Sequence, residues 1–311
     1  MELRWETIHS AVVNGCLGTI GLALVRCLLR HGVRVYAVAY PGDQRISLIP
    51  EKATVVPLDM REIEKLKDVI PEKVDAFFHL AWMGTIGPGR DDMMLQTENI
   101  RCAVLAARAA QQLGCHVFVG TGSQAEYGRI EGLVKPDSPC FPLNGYGIGK
   151  LCAGQMTRIE CRKLGVRHEW ARILSIYGPG DGPLSVMPTI ISKLLNREKP
   201  VLTGGEQLWD FLYCDDAAQA LYRMAAWGKD GQVYPVGSGQ VKTLREYFEI
   251  ARDAVDPQLP LGIGELPYPK GQVMHLQADL TPLQEDTGFA PAWTFEEGIR
   301  ETVRWFRAQQ Q

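Results

Sequence analysis

A glycine-rich turn near the start of the chain constrains its fold more than any other feature. An apolar strand pattern leads into the turn Asn14–Gly21, with sequence NGCLGTIG, and a helix pattern over Thr19–Arg30 begins within it. Gly15 allows a tight turn, Gly18 lets the backbone approach a pyrophosphate, and Gly21 lets the helix pack on the strand. The N-terminus of that helix offers free N–H groups and a positive dipole. The turn therefore predicts dinucleotide binding, and the alternative is a turn whose glycines serve packing only.

Strand and helix patterns alternate along the chain, most regularly in its first half. The predicted strands are Ile8–Val13, Val33–Ala39, Thr54–Pro57, Asp75–Leu80, His116–Gly120, Arg167–Ser175 and Val233–Gly237, and the predicted helices are Thr19–Arg30, Arg61–Val69, Asp92–Gln112, Gly145–Leu164 and Phe295–Arg307. This alternation predicts an α/β fold with a doubly wound parallel sheet of the Rossmann type. We assign the NAD(P)-binding domain to residues 1–178, with a returning segment at about 210–240. A smaller α/β C-terminal substrate lobe takes residues 179–209 and 241–311.

Composition excludes several classes of protein. Lys and Arg number 33 and Asp and Glu number 36, so the net charge of −3 does not indicate a nucleic-acid or polybasic membrane surface. No run approaches the roughly 18 apolar residues of a membrane span, and the charged start Met1–Glu6 is not followed by an apolar signal core. We expect a cytoplasmic protein. Its 8 cysteines include no CxxC pair, so we expect free thiols and no metal site.

The end of the second predicted strand bears on the choice of cofactor. An NAD site usually has an acidic residue there to bind the ribose 2′-hydroxyl, but this strand ends in Ala39 and Tyr40. Arg45 follows closely and could pair with a 2′-phosphate, which favours NADP over NAD. Two alternatives stay open, because Asp43 could serve NAD and Arg45 could be an ordinary solvated charge.

Asp59 and Met60 follow the third predicted strand. The carboxylate of Asp59 could accept a hydrogen bond from the adenine amino group of the cofactor. The alternative is an N-cap for the helical segment that begins at Arg61.

A tyrosine and a lysine lie four residues apart at the start of the fourth predicted helix. Tyr146 and Lys150 therefore share one helix face. A phenol that exchanges a proton near pH 7 needs a lowered pKa, and a neighbouring ammonium favours the phenolate. Ser123 follows the fifth predicted strand, at the edge of the sheet where ligands bind, and its hydroxyl could orient a carbonyl or alcohol.

Together these motifs resemble the extended short-chain dehydrogenase/reductase family of sugar-nucleotide epimerases, dehydratases and reductases. The matching segments are the glycine turn, His79–Trp82, Asn99, Ser123 before Tyr127-Gly128, Tyr146 with Lys150, Tyr177–Gly180 and Asp210–Asp216. The resemblance implies that Tyr146 is the acid/base, that Lys150 binds the nicotinamide ribose and tunes Tyr146, and that Ser123 polarises the reacting oxygen. It also implies that Asn99 supports the active-site helix. The predicted cofactor-binding set is Gly15, Gly18, Thr19, Ile20, Gly21, Tyr40, Arg45, Asp59, Met60, Leu80, Ala81, Asn99, Tyr146 and Lys150.

Departures from the family pattern bear on the branch. In 4,6-dehydratases an acid pair directly follows the catalytic Ser or Thr, but Gln124 and Ala125 follow Ser123, and Glu126 should point elsewhere. Many epimerases carry Asn at the position of Ser175 and an Arg that grips the diphosphate at the position of Trp209. We expect Arg90, Lys193 or Arg197 to replace that cation, or the substrate to differ. The predicted substrate-binding residues are Trp82, Arg90, Gln124, Ser175 and Trp209; Trp209 could equally be ordinary core.

The second half of the chain looks most like the CDP-abequose synthase branch of reductases. We therefore expect an NAD(P)-dependent enzyme that acts on a nucleotide-linked sugar by hydride transfer at carbon 4, as a 4-ketoreductase of a deoxyhexose nucleotide. The alternatives are an NAD-dependent 4-epimerase, a reductase of non-sugar carbonyls and a non-catalytic dinucleotide-binding protein. The resemblance also implies a homodimer formed through the helices Asp92–Gln112 and Gly145–Leu164.

Overall fold

The computed structural model describes residues 8–310, so the charged start Met1–Glu6 lies outside the described residues. The strands are β1 (Ser10–Asn14), β2 (Arg34–Ala39), β3 (Thr54–Pro57), β4 (Ala76–His79), β5 (Val117–Ser123), β6 (Gly132–Val134), β7 (Arg167–Ile173), β8 (Ser175–Tyr177), β9 (Val201–Leu202), β10 (Leu208–Trp209), β11 (Phe211–Tyr213), β12 (Val233–Val236), β13 (Lys242–Thr243), β14 (Gly262–Ile263) and β15 (His275–Ala278). The α-helices are α1 (Thr19–Arg30), α2 (Leu66–Val69), α3 (Met93–Gln112), α4 (Gly145–Leu164), α5 (Val186–Leu195), α6 (Cys214–Trp227), α7 (Leu244–Val255), α8 (Thr281–Thr287) and α9 (Phe295–Gln309). Short 3-10 helices cover Gln44–Leu48, Met60–Lys65, Gly87–Asp91 and Gln124–Glu126.

Seven strands form one sheet in the order β3–β2–β1–β4–β5–β7–β12, and every pairing in it is parallel. All of β1 is buried, as expected for a strand covered by helices on both faces. In one helix layer α3 packs against α4, and in the other layer α1 packs against α6. The structure confirms the predicted doubly wound parallel sheet.

The strand order reverses beside β1, which creates the crevice where such sheets bind ligands. From β1 the chain runs outward through β2 and β3, and it then returns to place β4 on the other side of β1. The ends of these two central strands are tied together, because Asn14 Nδ2 lies 3.0 Å from His79 Nδ1. The backbone N–H groups of Leu80 and Ala81 both donate to the carbonyl oxygen of Asn14, at 2.8 and 2.9 Å. The loops that follow β1 and β4 are therefore held next to each other.

Three small sheets, built mostly from the second half of the chain, accompany the large one. A four-stranded sheet has the order β13–β10–β15–β6, and β8–β11 and β9–β14 form two-stranded pairs. The single strand predicted over Arg167–Ser175 is wrong, because β7 ends at Ile173 and β8 leaves the large sheet to pair with β11. The predicted strand near Val233 is confirmed as β12, which pairs with β7. The proposed division into two domains stays a prediction.

Within residues 8–310, no helix is both long and apolar enough to span a bilayer. All of the cysteines lie in this part of the chain and carry free thiols, and all but Cys140 and Cys152 are buried. The same part of the chain holds no cluster of His, Cys, Asp or Glu placed to bind a metal ion.

Candidate active site

Backbone contacts leave no room for a side chain at two of the three glycines of the turn. Gly15 has a φ of +92°, and a Cβ there would lie 2.4 Å from the backbone nitrogen of Ala81. A Cβ on Gly21 would lie 2.2 Å from the carbonyl oxygen of Gly15. Gly18, the residue before α1, is different, because a Cβ there would meet only the Gly15 oxygen at 3.9 Å. The turn therefore keeps open space next to Gly18, at a helix N-terminus.

No side chain caps the N-terminus of α1. Its first N–H groups, which include those of Thr19 and Ile20, are left for another acceptor. Leu80 and Ala81 close on the turn from the end of β4. This combination fits the pyrophosphate of a dinucleotide. The predicted residues of the turn thus lie together, as the sequence indicated.

The adenosine end of the predicted cofactor site contains a paired charge. Arg45 donates from Nε to Asp43 Oδ1 at 3.0 Å and from Nη2 to Asp43 Oδ2 at 2.7 Å. This hydrogen bonding lowers the pKa of Asp43. A 2′-phosphate would have to compete with Asp43 for the guanidinium, so the pair weakens the sequence-based preference for NADP. Tyr40, next along from β2, is 59% exposed.

Asp59 serves as an N-cap. Its Oδ1 accepts a hydrogen bond from the backbone N–H of Arg61 at 2.9 Å, and its carboxylate also pairs with the Arg61 guanidinium. The 3-10 helix that begins at Met60 is capped in this way. The structure therefore shows the N-cap that the sequence left open as an alternative role of Asp59. A contact of Asp59 or Met60 with adenine stays a prediction.

The three predicted catalytic side chains converge from β5 and α4. Ser123 is the last residue of β5 rather than lying just past the strand, and Tyr146 lies in the first turn of α4. One turn further along α4, Lys150 Nζ donates to the carbonyl oxygen of Thr121 at 2.7 Å and lies 5.9 Å from the Tyr146 ring centroid. Ser123 and Tyr146 both line a cavity of about 310 Å³.

The electrostatics of Tyr146 differ in one respect from the prediction. Burial raises its pKa, whereas the hydrogen bond with Ser123 and the charge of Arg90 lower it. The Arg90 guanidinium lies 4.3 Å from the Tyr146 ring centroid, which is closer than Lys150. The sequence predicts that Lys150 lowers this pKa. In the structure Arg90 is the cation that stacks on the phenol ring.

Lys150 is almost completely buried, and burial lowers its pKa to about 7. The negative charge of Glu126 acts in the opposite direction and raises it. The ammonium also lies 4.0 Å from the Trp82 ring centroid. Trp82 is held in turn by a hydrogen bond from its Nε1 to Gln96 Oε1 at 2.8 Å.

Asn99 positions the loop after β4. It is fully buried, its Oδ1 accepts from the Met83 N–H at 2.9 Å, and its Nδ2 donates to the Met83 carbonyl at 2.8 Å. Both polar atoms of the Asn99 side-chain amide are therefore hydrogen-bonded within the protein. Asn99 therefore holds the loop that begins at Leu80 and Ala81, and its predicted contact with the cofactor stays a prediction.

Hydrogen bonds hold Arg90 and its neighbours beside Tyr146. Gln96 Nε2 donates to the carbonyl of Gly89 at 2.8 Å, and Asp91 Oδ1 accepts from the N–H of Gly145, the residue before Tyr146, at 2.9 Å. Arg90 Nη1 itself donates to the carbonyl of Thr85 at 2.7 Å. The guanidinium lines two neighbouring cavities, so its remaining N–H groups can reach a ligand in either.

The larger of these cavities has a volume of about 650 Å³ and is lined in part by residues of the predicted substrate lobe. On its wall, Trp209 Nε1 donates to Ser175 Oγ at 2.8 Å, so two predicted substrate-binding residues meet. Gln124 also lines it, with a buried Oε1 that has no hydrogen-bond partner within the protein. Trp209 is thus a wall residue of a cavity as well as a packing residue.

The charges on this wall are few. Arg90 is the one Lys or Arg that lines it among the residues described, and neither Lys193 nor Arg197 lies on this wall. Asp181 also lines the cavity, and burial raises its pKa to about 6.

Glu126 has structural contacts that the sequence does not predict. This side chain points away from the cavity, as predicted, but it is buried against Ser123, Trp170 and Arg172. The signal was present, because Ser123 and Glu126 have the S-x-x-E spacing of a capping box.

Known proteins resemble this chain over almost its whole length. The model of the NAD dependent epimerase/dehydratase family matches residues 11–237. A dTDP-glucose 4,6-dehydratase of Neisseria gonorrhoeae is 27% identical over 336 residues, which cover 98% of this chain and 97% of the relative. A solved UDP-N-acetylglucosamine 4-epimerase from Methanobrevibacter ruminantium M1, in complex with UDP-N-acetylmuramic acid, is 26% identical with a TM-score of 0.86, and the match covers 97% of this chain and 99% of that one. A dTDP-glucose 4,6-dehydratase from Streptomyces venezuelae, with NAD bound, shares the fold at a TM-score of 0.84 and 23% identity over 97% of this chain and 98% of that one.

Proposed function

The chain belongs to the NAD dependent epimerase/dehydratase family, and from this premise we propose that it transfers a hydride at carbon 4 of the hexose of a sugar nucleotide. The observation that carries the proposal is the convergence of Ser123, Tyr146 and Lys150 beside a cavity, next to a glycine turn that fits a dinucleotide.

Each side chain has a defined task in this reaction. Tyr146 gives a proton to the sugar oxygen during reduction, or takes it during oxidation. Ser123 hydrogen-bonds the same oxygen and fixes its position. Lys150, held by Thr121, binds the nicotinamide ribose. The nicotinamide cofactor, when bound, would supply the hydride as NADH during reduction or accept it as NAD⁺ during oxidation.

Elimination of water is not part of the proposed reaction. The two residues after Ser123 are Gln124 and Ala125, and neither can exchange a proton near pH 7. The next acidic side chain, Glu126, is buried in an ion pair with Arg172. The chain therefore differs in proposed activity from its 4,6-dehydratase relatives.

The first assignment is a 4-ketoreductase of a deoxyhexose nucleotide, similar to the CDP-abequose synthase branch. Support comes from Ser175 and Trp209, which replace the Asn and Arg carried by many epimerases. Trp209 Nε1 donates to Ser175 Oγ at 2.8 Å, so the two replacements together change one part of the cavity wall relative to those epimerases.

A 4-epimerase is the second candidate. It is favoured by the 26% identical 4-epimerase structure and by the Asp43–Arg45 pair. Epimerases recycle a bound NAD, and an Arg45 already neutralised by Asp43 fits NAD better than NADP.

On the same ground we propose NAD(H) as the cofactor, with Asp43 as the acceptor for a ribose hydroxyl. Binding of NADH and NADPH to the wild type and to Arg45→Ala and Asp43→Ala tests this. Weaker NADH binding by Asp43→Ala alone supports NAD. Tighter binding of NADPH, lost in Arg45→Ala, would restore the NADP preference.

One experiment separates the candidate functions. The purified protein is denatured and the released nucleotide is identified, and fresh protein is then assayed with 4-keto-6-deoxyhexose nucleotides and with UDP-hexoses. Consumption of added NADH with a keto sugar supports the reductase. Tightly bound NAD with interconversion of UDP-hexoses supports the epimerase. Cofactor binding without turnover of any of these sugars would contradict both and favour a dinucleotide-binding protein.

We further propose a homodimer through α3 and α4. These helices carry large apolar side chains that are exposed in the single chain, namely Met94 at 79%, Ile148 at 51% and Met156 at 45%. A monomeric mass by light scattering, unchanged in Ile148→Glu, would contradict this interface.

A further inference from the structure

An indole ring covers the ammonium group of Lys150. Trp82 lies in the loop after β4, and Lys150 Nζ lies 4.0 Å from the centroid of its ring. The other close neighbour of this ammonium is the carbonyl oxygen of Thr121, which accepts a hydrogen bond from Nζ at 2.7 Å. A lysine ammonium carries three N–H groups. The carbonyl and the ring take two of them, which leaves one for a ligand.

The burial of Lys150 gives this contact its weight. The side chain is only 4% exposed, so its ammonium has lost most of the water that would solvate it. A cation over the face of an indole is attracted by the electron-rich ring within roughly 6 Å, and the attraction is stronger where water is excluded. The ring of Trp82 therefore replaces part of the lost solvation and favours one position of the Lys150 side chain.

Neighbouring residues fix the orientation of the Trp82 ring. Its Nε1 donates to Gln96 Oε1 at 2.8 Å, and Gln96 Nε2 donates to the carbonyl of Gly89 at 2.8 Å. Asn99 Nδ2 donates to the same Gln96 oxygen at 3.3 Å. On α4, a Cβ at Gly149 would lie 3.2 Å from the Trp82 ring, so the glycine lets the ring approach the helix closely. The ring is thus held between two polar side chains of α3 and a bare stretch of α4.

We propose that Trp82 is a positioning residue, whose ring holds the Lys150 ammonium in the place from which it binds the nicotinamide ribose. Among the described residues, Trp82 is not one of those that line either cavity beside Arg90, so its ring acts on the site through Lys150. The predicted contact of Trp82 with the substrate stays a prediction.

This inference rests on the proposed role of Lys150 in cofactor binding. Without the ring, the Lys150 side chain occupies its binding position in only a fraction of the molecules. The apparent affinity for the cofactor then falls by that fraction.

The test is a double-mutant cycle made of Trp82→Leu, Lys150→Met and the double variant. Leucine fills part of the space of the indole without an aromatic face, and methionine has no charge for the ring to hold. Dissociation constants of NADH and NADPH are measured by isothermal titration calorimetry, and the tighter of the two cofactors is followed. Thermal unfolding reports folding.

The matched control is a second tryptophan that also faces a cation. Trp227 is partly buried at the end of α6, and the guanidinium of Arg223 lies 5.4 Å from its ring centroid. Trp227→Leu should lower the unfolding temperature and leave cofactor affinity at the wild-type value.

We expect Trp82→Leu to weaken cofactor binding by about fivefold to tenfold, but by less than about twofold in the Lys150→Met background. A ring that only shapes the loop would have the same effect in both backgrounds. Trp82→Phe keeps an aromatic face but loses the hydrogen bond to Gln96. It should restore affinity to within about threefold of wild type.

A graded change of the same ring keeps the test independent of folding. Site-specific replacement of Trp82 by 5-fluorotryptophan and by 5,7-difluorotryptophan withdraws electrons from the ring face with little change of shape. Cofactor affinity should fall stepwise with the number of fluorine atoms. If Trp82→Leu does not fold, this series decides alone.

Equal effects of Trp82→Leu in the two backgrounds, or equal cofactor affinity across the fluorinated series, would overturn the proposal. Lys150→Met with wild-type cofactor affinity would reject the role of Lys150 and the proposal with it. The sugar chemistry has a separate outcome: coupling between Trp82 and Lys150 without turnover of any sugar would reject that chemistry and keep the role of Trp82.

Discussion

The cofactor turn and the substrate cavity are built in different ways. At the turn, the geometry comes from backbone: Gly15 and Gly21 allow contacts that a Cβ would block, and no side chain caps α1. In the cavity, the geometry comes from side chains, such as the hydrogen bond between Trp209 and Ser175 and the guanidinium of Arg90. A site made of backbone tolerates few sequences, whereas a site made of side chains changes with each substitution. The turn therefore identifies the class of enzyme, and the cavity decides its substrate.

The largest expected effect is on the chemistry that joins these two regions. Tyr146→Phe removes the proton donor, so kcat should fall by about 10²–10⁴-fold. Cofactor affinity should change little, because the glycine turn is untouched. Tyr36→Phe is the control, since its hydroxyl contacts Glu72 away from the site. Turnover by Tyr146→Phe at the wild-type rate would contradict the assignment.

The second prediction concerns the turn. Gly15→Ala forces a side chain against the backbone of Ala81, at 2.4 Å, so NADH binding should weaken by at least about tenfold, together with a loss of stability. Gly32→Ala is the matched control, because Gly32 has a similar φ of +74° with no atom within 4 Å of its Cβ position. Equal NADH affinity in the two variants would show that the close approach at Gly15 is unimportant.

The fold was far more predictable than the site. The bounds predicted for α1, β3 and α4 are those of the structure, because buried periodic runs with clear ends allow few alternatives. The two- and three-residue strands around the cavity, such as β10 and β8, were missed because such short segments have no periodicity. Pairings between distant residues, such as Glu126 with Arg172, also depend on tertiary packing.

The third prediction uses the buried Lys150. Its pKa is lowered from 10.5 to about 7 in the folded protein, so the unfolded chain binds more protons between these values. Stability should therefore rise with pH across this window, by at most about 1.4 kcal/mol per pH unit. Denaturant unfolding from pH 7 to pH 9 should show this slope reduced in Lys150→Met. Parallel curves for the two proteins would contradict a lowered pKa.

The fourth prediction addresses the cavity. Arg90→Gln removes the cation beside Tyr146, so KM for an anionic sugar nucleotide should rise about tenfold. The pH at which Tyr146 titrates in the rate profile should also rise, since Arg90 lowers its pKa. Lys193→Gln, a charge change outside the cavity wall, should leave both unchanged.

The smallest effect is expected from Trp209→Phe, which keeps an aromatic wall but removes the donor to Ser175. We expect a change of a few fold in KM, in line with about 1 kcal/mol for one hydrogen bond, and no change in NADH affinity. A change in NADH affinity larger than that in KM would show that the two regions are not separable.

The most direct test of hydride transfer at carbon 4 follows the hydrogen itself. The protein is given NADH deuterated at the transferring position of the nicotinamide, together with a 4-keto-6-deoxyhexose nucleotide, and the product is examined by NMR and mass spectrometry. The account predicts a single deuterium bonded to carbon 4 of the sugar. Product that carries deuterium at another carbon, or none despite turnover, would contradict it.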